Sequence, residues 1–492
     1  MNANRNGFGR MRLSPRPQPS EKEQAMKRQS VSSLPTSQHP SRRQFLVAAA
    51  GSALAGAVLP RVHAAGNDTM QIALVGCGGR GTGAIRDAFS TASLGPIKLV
   101  AMADVFESKL KNSHGVLSKN EEVSTLMDVP EERRFLGFDA YKNAMDCLKP
   151  GDVVILATPP AFRWVHFTYA IEKGLNVFME KPLTVDGPTS KRMLALGEEA
   201  AKKNLKVGVG LMSRHSVALQ ELAERIHGGQ IGDIILMRGY RMHGPVGSFS
   251  SPPKPEGMSD LRYQVQRFHS FLWASGGNYS DFYIHIIDHL CWMKNEWPVE
   301  AHALGGRHYR QSADGATYVD QNFDVYAVEY TFADGTKFNF DGRCINGCQN
   351  YYSSYIHGSK GSAIGSSRGD CGLPSSIFKG QSPTSDLLWE SSVNPDERNP
   401  YRNEWTHLVT AIRNGTPYNE VKRGVEASLV TSMGRMAAHT GQVITFDQIL
   451  NGDHEFAPGL DQLAENSPAP LQCGPDGKYP VPMPGMTRSR EY

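Results

Sequence analysis

Two hydrophobic patterns divide the chain. Up to about residue 210 apolar residues gather in short strand-like segments: 71–75, 97–103, 152–157, 176–179 and 205–210. The continuous apolar run in 152–157 predicts a strand buried on both faces. Between them, 84–89, 163–173 and 188–203 have helical character. Strand alternating with helix predicts a doubly wound parallel sheet, that is, an α/β fold of the Rossmann type. Thr158-Pro159-Pro160 closes one of these strands, because proline cannot continue the ladder.

Beyond residue 211 the period changes. Segments 234–241, 300–304, 324–332 and 337–342 alternate apolar and polar residues, which predicts an open, mainly antiparallel sheet with one covered face. Ala333-Asp334-Gly335-Thr336 is a hairpin signal between two of them. Segment 243–275 is rich in Pro, Gly and Ser and reads as a long loop able to cover a site. Segment 404–440 reads as amphipathic helix packing the second half back on the first, and the Pro/Gly-rich tail from Ala457 as an extended surface arm. The organisation expected is therefore a leader (1–66), a dinucleotide-binding domain (67–210), an α+β domain (211–456) and an arm (457–492).

The leader changes the picture of the charge. Ser41-Arg42-Arg43-Gln44-Phe45-Leu46 is a twin-arginine pattern before a weakly apolar run to Leu59, and Val62-His63-Ala64 offers a cleavage point. That run is shorter than the ~20 residues a bilayer needs, so export to the periplasm without a stable membrane anchor is expected. Residues 1–64 hold ten Lys/Arg and two Asp/Glu, a net of +8; subtracted from +3 overall, this leaves −5 for the rest. No basic stripe remains for nucleic acid. The seven cysteines are odd in number and scattered, which speaks for unpaired thiols rather than a disulfide framework.

Candidate chemistry sits where the first set of strands ends. Gly76-x-Gly78-x-x-Gly81 follows a strand and opens a helix, the context a phosphate-cradling turn requires. Asp104 ends the next strand, where a carboxylate takes ribose hydroxyls and repels a 2′-phosphate, favouring NAD over NADP. Glu180-Lys181-Pro182 places a lysine at another strand end. In the second half, Gly276-Gly277 precedes a helix on which Asp281, His285 and His289 are spaced by four and share a face, with Asp288 beside them. The His-x-x-x-His spacing is also that of a helical metal pair, but no Glu follows the first His and no metal is expected.

The glycine turn, Ala157-Thr158-Pro159-Pro160 and Glu180-Lys181-Pro182, in this order and at these separations, resemble the Gfo/Idh/MocA oxidoreductases, a family that includes glucose–fructose oxidoreductases and inositol dehydrogenases. The resemblance extends over nearly all of 70–450, and the C-terminal half is also similar to NAD-dependent glycoside hydrolases. It implies NAD held by Gly76, Gly78, Gly79, Arg80, Gly81, Asp104, Thr158, Pro159, Glu180, Lys181 and Arg214. It implies Lys181 directed at nicotinamide and substrate, His285 as general base on the substrate hydroxyl, and Asp281 holding substrate or imidazole in place. A sugar, cyclitol or glycoside would be the substrate, and the open sheet face an oligomer contact. Family members often carry a small residue where this chain has Tyr283, which would narrow the pocket or supply a phenol. An exported enzyme meets no free NAD pool, so a tightly held cofactor is expected. Three readings follow: a sugar-type oxidoreductase, a redox-neutral glycosidase with Tyr283 or His243 as a further base, and a catalytically silent sugar-binding protein.

Overall fold

A computed structural model describes residues 68–308, 311–312, 315–383, 386–475 and 477–492. The leader expected over 1–66, with its twin-arginine pattern, lies outside the described residues. Strands β1 (Met70–Val75), β2 (Ile97–Asp104), β3 (Arg134–Leu136), β4 (Val153–Leu156), β5 (Asn176–Met179) and β6 (Val207–Val209) form a parallel sheet in the order β3-β2-β1-β4-β5-β6. All of β4 and β5 is buried, because helices α1 (Gly79–Phe89), α2 (Arg163–Glu172) and α3 (Gly187–Lys202) flank the sheet. Strand order reverses between β1 and β4, which opens a crevice at their carboxyl ends. β3 has no buried residue in its three positions and so carries no apolar run to read.

The second sheet has nine strands: β7 (Ile234–His243), β8 (Glu300–Gly306), β9 (Val325–Thr331), β10 (Lys337–Cys344), β11 (Tyr351–Gly358), β12 (Ser362–Ser366), β13 (Ser376–Phe378), β14 (Leu387–Glu390) and β15 (Ile444–Thr445). Only β7 and β10 pair in parallel; every other pairing is antiparallel. The expected hairpin joins β9 to β10: Phe332 N–H donates to Thr336 O at 3.0 Å, and Gly335 supplies φ +87°. Three helices follow: α4 (Gly277–Lys294), α5 (Pro400–Asn414) and α6 (Val421–Thr440). Helices α4 and α6 pack on one face of this sheet, while the other leaves Leu304 77 % and Tyr351 41 % exposed.

One segment follows the sequence reading and one departs from it. Helix α5 packs back on the first half, as expected of 404–440: Trp405, Leu408, Val409 and Ile412 share a core with Ile72, Leu74 and Phe178 of the first sheet. The C-terminal arm is no free surface strand. Ala469, Leu471 and Tyr479 are buried, and Gln264 and Gln321 donate to the carbonyls of Leu471 and Pro480. At its end Glu491, 3 % exposed, accepts from Arg435 Nη2 at 2.8 Å and contacts His439 Nδ1 at 2.6 Å. Isolated anchors of this kind leave no periodicity to detect.

The buried Arg435 ties three regions together. Besides Glu491 it donates to Val185 O at 2.9 Å, Gly276 O at 3.2 Å and Ser280 Oγ at 2.7 Å. Gly276 caps α4 and Ser280 lies in its first turn, while Val185 follows the Glu180-Lys181-Pro182 loop. The chain terminus thus fixes the start of α4 against the end of β5. Each buried charge here has a partner, which a buried ionic network needs to be stable.

Candidate active site

The glycine turn is built by close backbone contact. Gly76 takes φ +97°, and a Cβ there would lie 2.6 Å from the carbonyl carbon of Ala157. At Gly81 a Cβ would lie 2.0 Å from Gly76 O, so only glycine lets α1 approach β1. At Gly78 and Gly79 a Cβ would meet nothing within 4 Å: this side is open. It faces a cleft of about 1280 Å³, open mouth included, whose walls include Gly76, Gly78, Gly79, Arg80, Asp104, Thr158 and Pro159. Asp104 is fixed at its edge by Cys77 N–H at 2.7 Å and Phe106 N–H at 2.8 Å, with acceptor capacity left on both oxygens. Phe162, Val165 and Phe138 supply apolar lining. An open helix N-terminus, a fixed carboxylate at the second strand end and an apolar wall fit a dinucleotide.

Other residues singled out from the sequence are engaged within the protein. Arg80 Nε lies 2.5 Å from Glu180 Oε1, Nη2 lies 3.2 Å from Asp87, and the guanidinium caps the Tyr401 ring at 4.5 Å. Glu180 therefore anchors Arg80 in the cleft wall. Thr158 Oγ1 lies 3.2 Å from His166 Nδ1; burial first, then Arg163, pushes this histidine down to about 3, so it is neutral. Arg214 forms a two-point pair with Asp288, both contacts at 2.8 Å, and stacks on Trp292. It does not line the cleft.

The lysine of the first half meets the helix of the second. Lys181 Nζ donates to Asp281 O at 2.5 Å and lies 3.6 Å from Asp281 Oδ1. His269, from the 243–275 segment, lines the cleft and lies 3.4 Å from Asp281 Oδ2. Burial alone would raise the Asp281 carboxyl, but Lys181 and then His269 outweigh it and hold it far below its ordinary value. One helical turn on, His285 is buried and its Nδ1 has no hydrogen-bond partner among the described residues. Burial, then Lys181, lowers its imidazole to about 3, with Asp370 opposing. At neutral pH the cluster holds an ammonium, a carboxylate and a neutral imidazole, which can accept a proton.

Sequence reasoning did not find His269, Arg241, Tyr352 or Asp370, all of which converge here. The segment carrying His269 is not one loop: residues 260–266 and 272–275 are helical, and the turn at 268–270 presents the ring. No local spacing distinguishes these side chains from ordinary surface residues. Conversely, Tyr283 is fully buried among Tyr279, Tyr326 and Phe340, its hydroxyl 3.5 Å from Cys344 Sγ, so it neither narrows the cleft nor offers a phenol to it. Its position on α4 turns it to the sheet. His243 Nδ1 is held at 2.5 Å from Gly244 O. His289 Nε2 points to Ser354 Oγ at 2.9 Å, away from His285, and among the described residues no His/Cys/Asp/Glu group is arranged to hold a metal ion. All seven cysteines are free thiols.

A parallel sheet opening a cleft that fits a dinucleotide, with a second sheet whose helix carries Asp281 and His285 up to Lys181, defines the class: a two-sheet protein with a Rossmann-type nucleotide cleft. Comparison with known proteins refines this. Residues 70–211 match the Gfo/Idh/MocA family, described as an oxidoreductase family with an NAD-binding Rossmann fold. The chain is 31 % identical over 96 residues to an inositol 2-dehydrogenase of Corynebacterium glutamicum, covering 20 % of this chain and 28 % of that protein. It is 32 % identical over 188 residues to inositol 2-dehydrogenase 4 of Saccharopolyspora erythraea, covering 37 % and 47 %. The matched region thus spans less than half the length of these curated relatives. In fold, a levoglucosan dehydrogenase solved with NADH and levoglucosan superposes with TM-score 0.57 at 17 % identity, covering 77 % of this chain and all of that one. A myo-inositol 2-dehydrogenase from Lactobacillus plantarum does so with TM-score 0.54 at 21 % identity, covering 77 % and 99 %. The match to this family is confined to residues 70–211, the region that holds the parallel sheet and the glycine turn.

Proposed function

We propose that this protein is an NAD-dependent dehydrogenase of a secondary alcohol in a sugar or cyclitol. The observation that carries this reading is the meeting of Lys181, at the end of β5, with Asp281 and His285 of α4 beside the nucleotide cleft. When bound, NAD supplies the hydride acceptor. His285, neutral at physiological pH, takes the proton of the substrate hydroxyl. Lys181 offsets the negative charge that develops on that oxygen, and Asp281 keeps the ammonium in place from the opposite lobe. His269 and Phe282 wall the cluster, with ring centroids 5.2 Å apart. Relatives named for inositol and levoglucosan support a polyol substrate. The twin-arginine pattern supports export with the nucleotide already loaded, and the exposed face of the second sheet supports a homo-oligomer.

The test is product analysis with purified protein, cyclitols, pyranoses and glycosides, with and without added NAD. Conversion of a polyol to its ketone with reduction of nicotinamide, or of a second sugar, is expected. Release of a free sugar from a glycoside without net redox would replace this reading by the glycosidase. Sugar binding with no product would replace it by the silent binding protein.

A further inference from the structure

The sheet side of the site carries polar groups that the mechanism above does not use. In the register of β7 and β11, Tyr352 lies beside Arg241 and Ser354 beside Gly239. Helix α4 lies across these two strands. His289 meets Ser354 at 2.9 Å, Ile286 lies so close that a Cβ on Gly239 would be 2.6 Å from its Cγ2, and Arg241 Nη1 donates to Phe282 O. Two residues back along β11, a rise of roughly 6.6 Å, match four residues back along α4, a rise of about 6 Å. That step leads from the Ser354–His289 pair to Tyr352 opposite His285.

Tyr352 does not act alone there. Its hydroxyl donates to Asp370 Oδ2, and Cys371 Sγ lies 3.4 Å from Oδ1; both residues belong to the turn between β12 and β13. Burial pushes the Asp370 carboxyl up, yet His285, the Tyr352 hydroxyl and Arg241 together hold it below its ordinary value, so it is an ionised acceptor. Arg241 lies 4.7 Å over the Tyr352 ring. It spends Nε on His243 and Nη1 on Phe282 O, and Nη2 has no hydrogen-bond partner among the described residues. The cluster thus offers two cations, Lys181 and Arg241, and two carboxylates, Asp281 and Asp370, around one imidazole. Its balance suits a neutral ligand.

We propose that Asp370 and Arg241 are specificity-determining residues that bind a second hydroxyl of the substrate, beside the one deprotonated by His285, so that the enzyme selects uncharged vicinal diols. This rests on the dehydrogenase reading. A carboxylate can only accept and a guanidinium can only donate, so together they take both roles of one hydroxyl. An acidic sugar turned to this wall would meet the Asp370 charge, and a deoxy compound would leave Arg241 Nη2 and the remaining acceptor capacity of Asp370 unfilled. Tyr352 is a positioning residue that orients the carboxylate.

The experiment pairs each polyol that the wild type oxidises with its deoxy analogue lacking the neighbouring hydroxyl, on wild type and Asp370→Asn. Loss of the hydroxyl is expected to lower wild-type kcat/KM by ~10- to 100-fold, mainly through KM, the range of a hydrogen bond to a charged group. In Asp370→Asn the two compounds should come within about threefold of each other, with bound NAD per protein unchanged. Calorimetric binding of the same pair to the Lys181→Met protein, with Asp370 intact or replaced, reports the same coupling without turnover. An unchanged parent-to-deoxy ratio in Asp370→Asn overturns the proposal and leaves the dehydrogenase reading standing. A wild type that oxidises no polyol overturns both. Tyr352→Phe, which keeps the carboxylate, serves if Asp370→Asn does not fold, and should narrow the ratio partway.

Discussion

The two sides of the site are built by different means. The phosphate-facing turn of the nucleotide side is a local device: one strand, one turn and one helix within about twenty residues, shaped by backbone clearance at Gly76 and Gly81. The substrate side is assembled from six separate stretches, carrying Lys181, Arg241, His269, Asp281 with His285, Tyr352 and Asp370. Steric limits define the first; charge balance among distant side chains defines the second. A local device tolerates no added atom at its contact points, whereas a distributed one depends on whatever holds its parts in register. Here that is largely Arg435 and the chain terminus.

The largest effect should come from breaking the local device. Gly81→Val would drive a side chain into Gly76 O and is expected to abolish co-purified nucleotide, while Gly115→Ala, in the helix 107–118 away from the cleft and with nothing near its Cβ, should keep it. Nucleotide content of the two purified variants checks this; equal retention would contradict the steric account. Next comes the register of the distributed side. Glu491→Gln leaves Arg435 and His439 without their carboxylate and should lower stability by about 3–5 kcal/mol in denaturant melts, the cost of breaking a buried pair. It should also lower kcat in the surviving folded fraction. Tm unchanged by this substitution would make the terminus an ornament.

A smaller effect concerns acid. His166 and His285 are held near 3 and His289 near 4, chiefly by burial, against about 6.5 for an unfolded histidine. Between these limits the unfolded chain binds protons that the folded chain refuses, so stability should fall as pH drops from about 6.5 toward 3. Asp281 adds a loss only below about 3.9, because its carboxyl stays ionised in the fold after it protonates in the unfolded chain. His285→Asn should make the slope above pH 4 shallower; an unaltered slope would show that this ring titrates normally. The smallest effect is expected at Tyr283→Phe, which removes a hydroxyl from Cys344 and Asn278 on the buried sheet side of α4. Activity should stay within about twofold, because that hydroxyl does not line the cleft.

Legibility in the sequence followed the same division. The parallel strands, the glycine turn and Asp104 were readable because each is a contiguous pattern with a local physical cause. The Asp281–His285 spacing was readable because four residues make one helical turn. Arg241, Tyr352 and Asp370 were not, since only sheet register brings residues 241 and 352 together and only one hydrogen bond brings in residue 370. Arg214 was misleading for a related reason: its position just past a strand end says nothing of Asp288, which holds it out of the cleft lining. Tyr283, two positions before His285, turns to the opposite face of α4, which residue spacing on a helix does allow one to foresee.

The most direct test of the central claim is single-turnover reduction of bound NAD by an accepted polyol in Lys181→Met and His285→Asn proteins. Both should retain stoichiometric NAD and lose at least about a hundredfold in the rate of nicotinamide reduction, as expected on removing a positioned proton-transfer group. Reduction at the wild-type rate in either protein, with nucleotide still bound, would contradict the assignment of these two residues to the reacting centre.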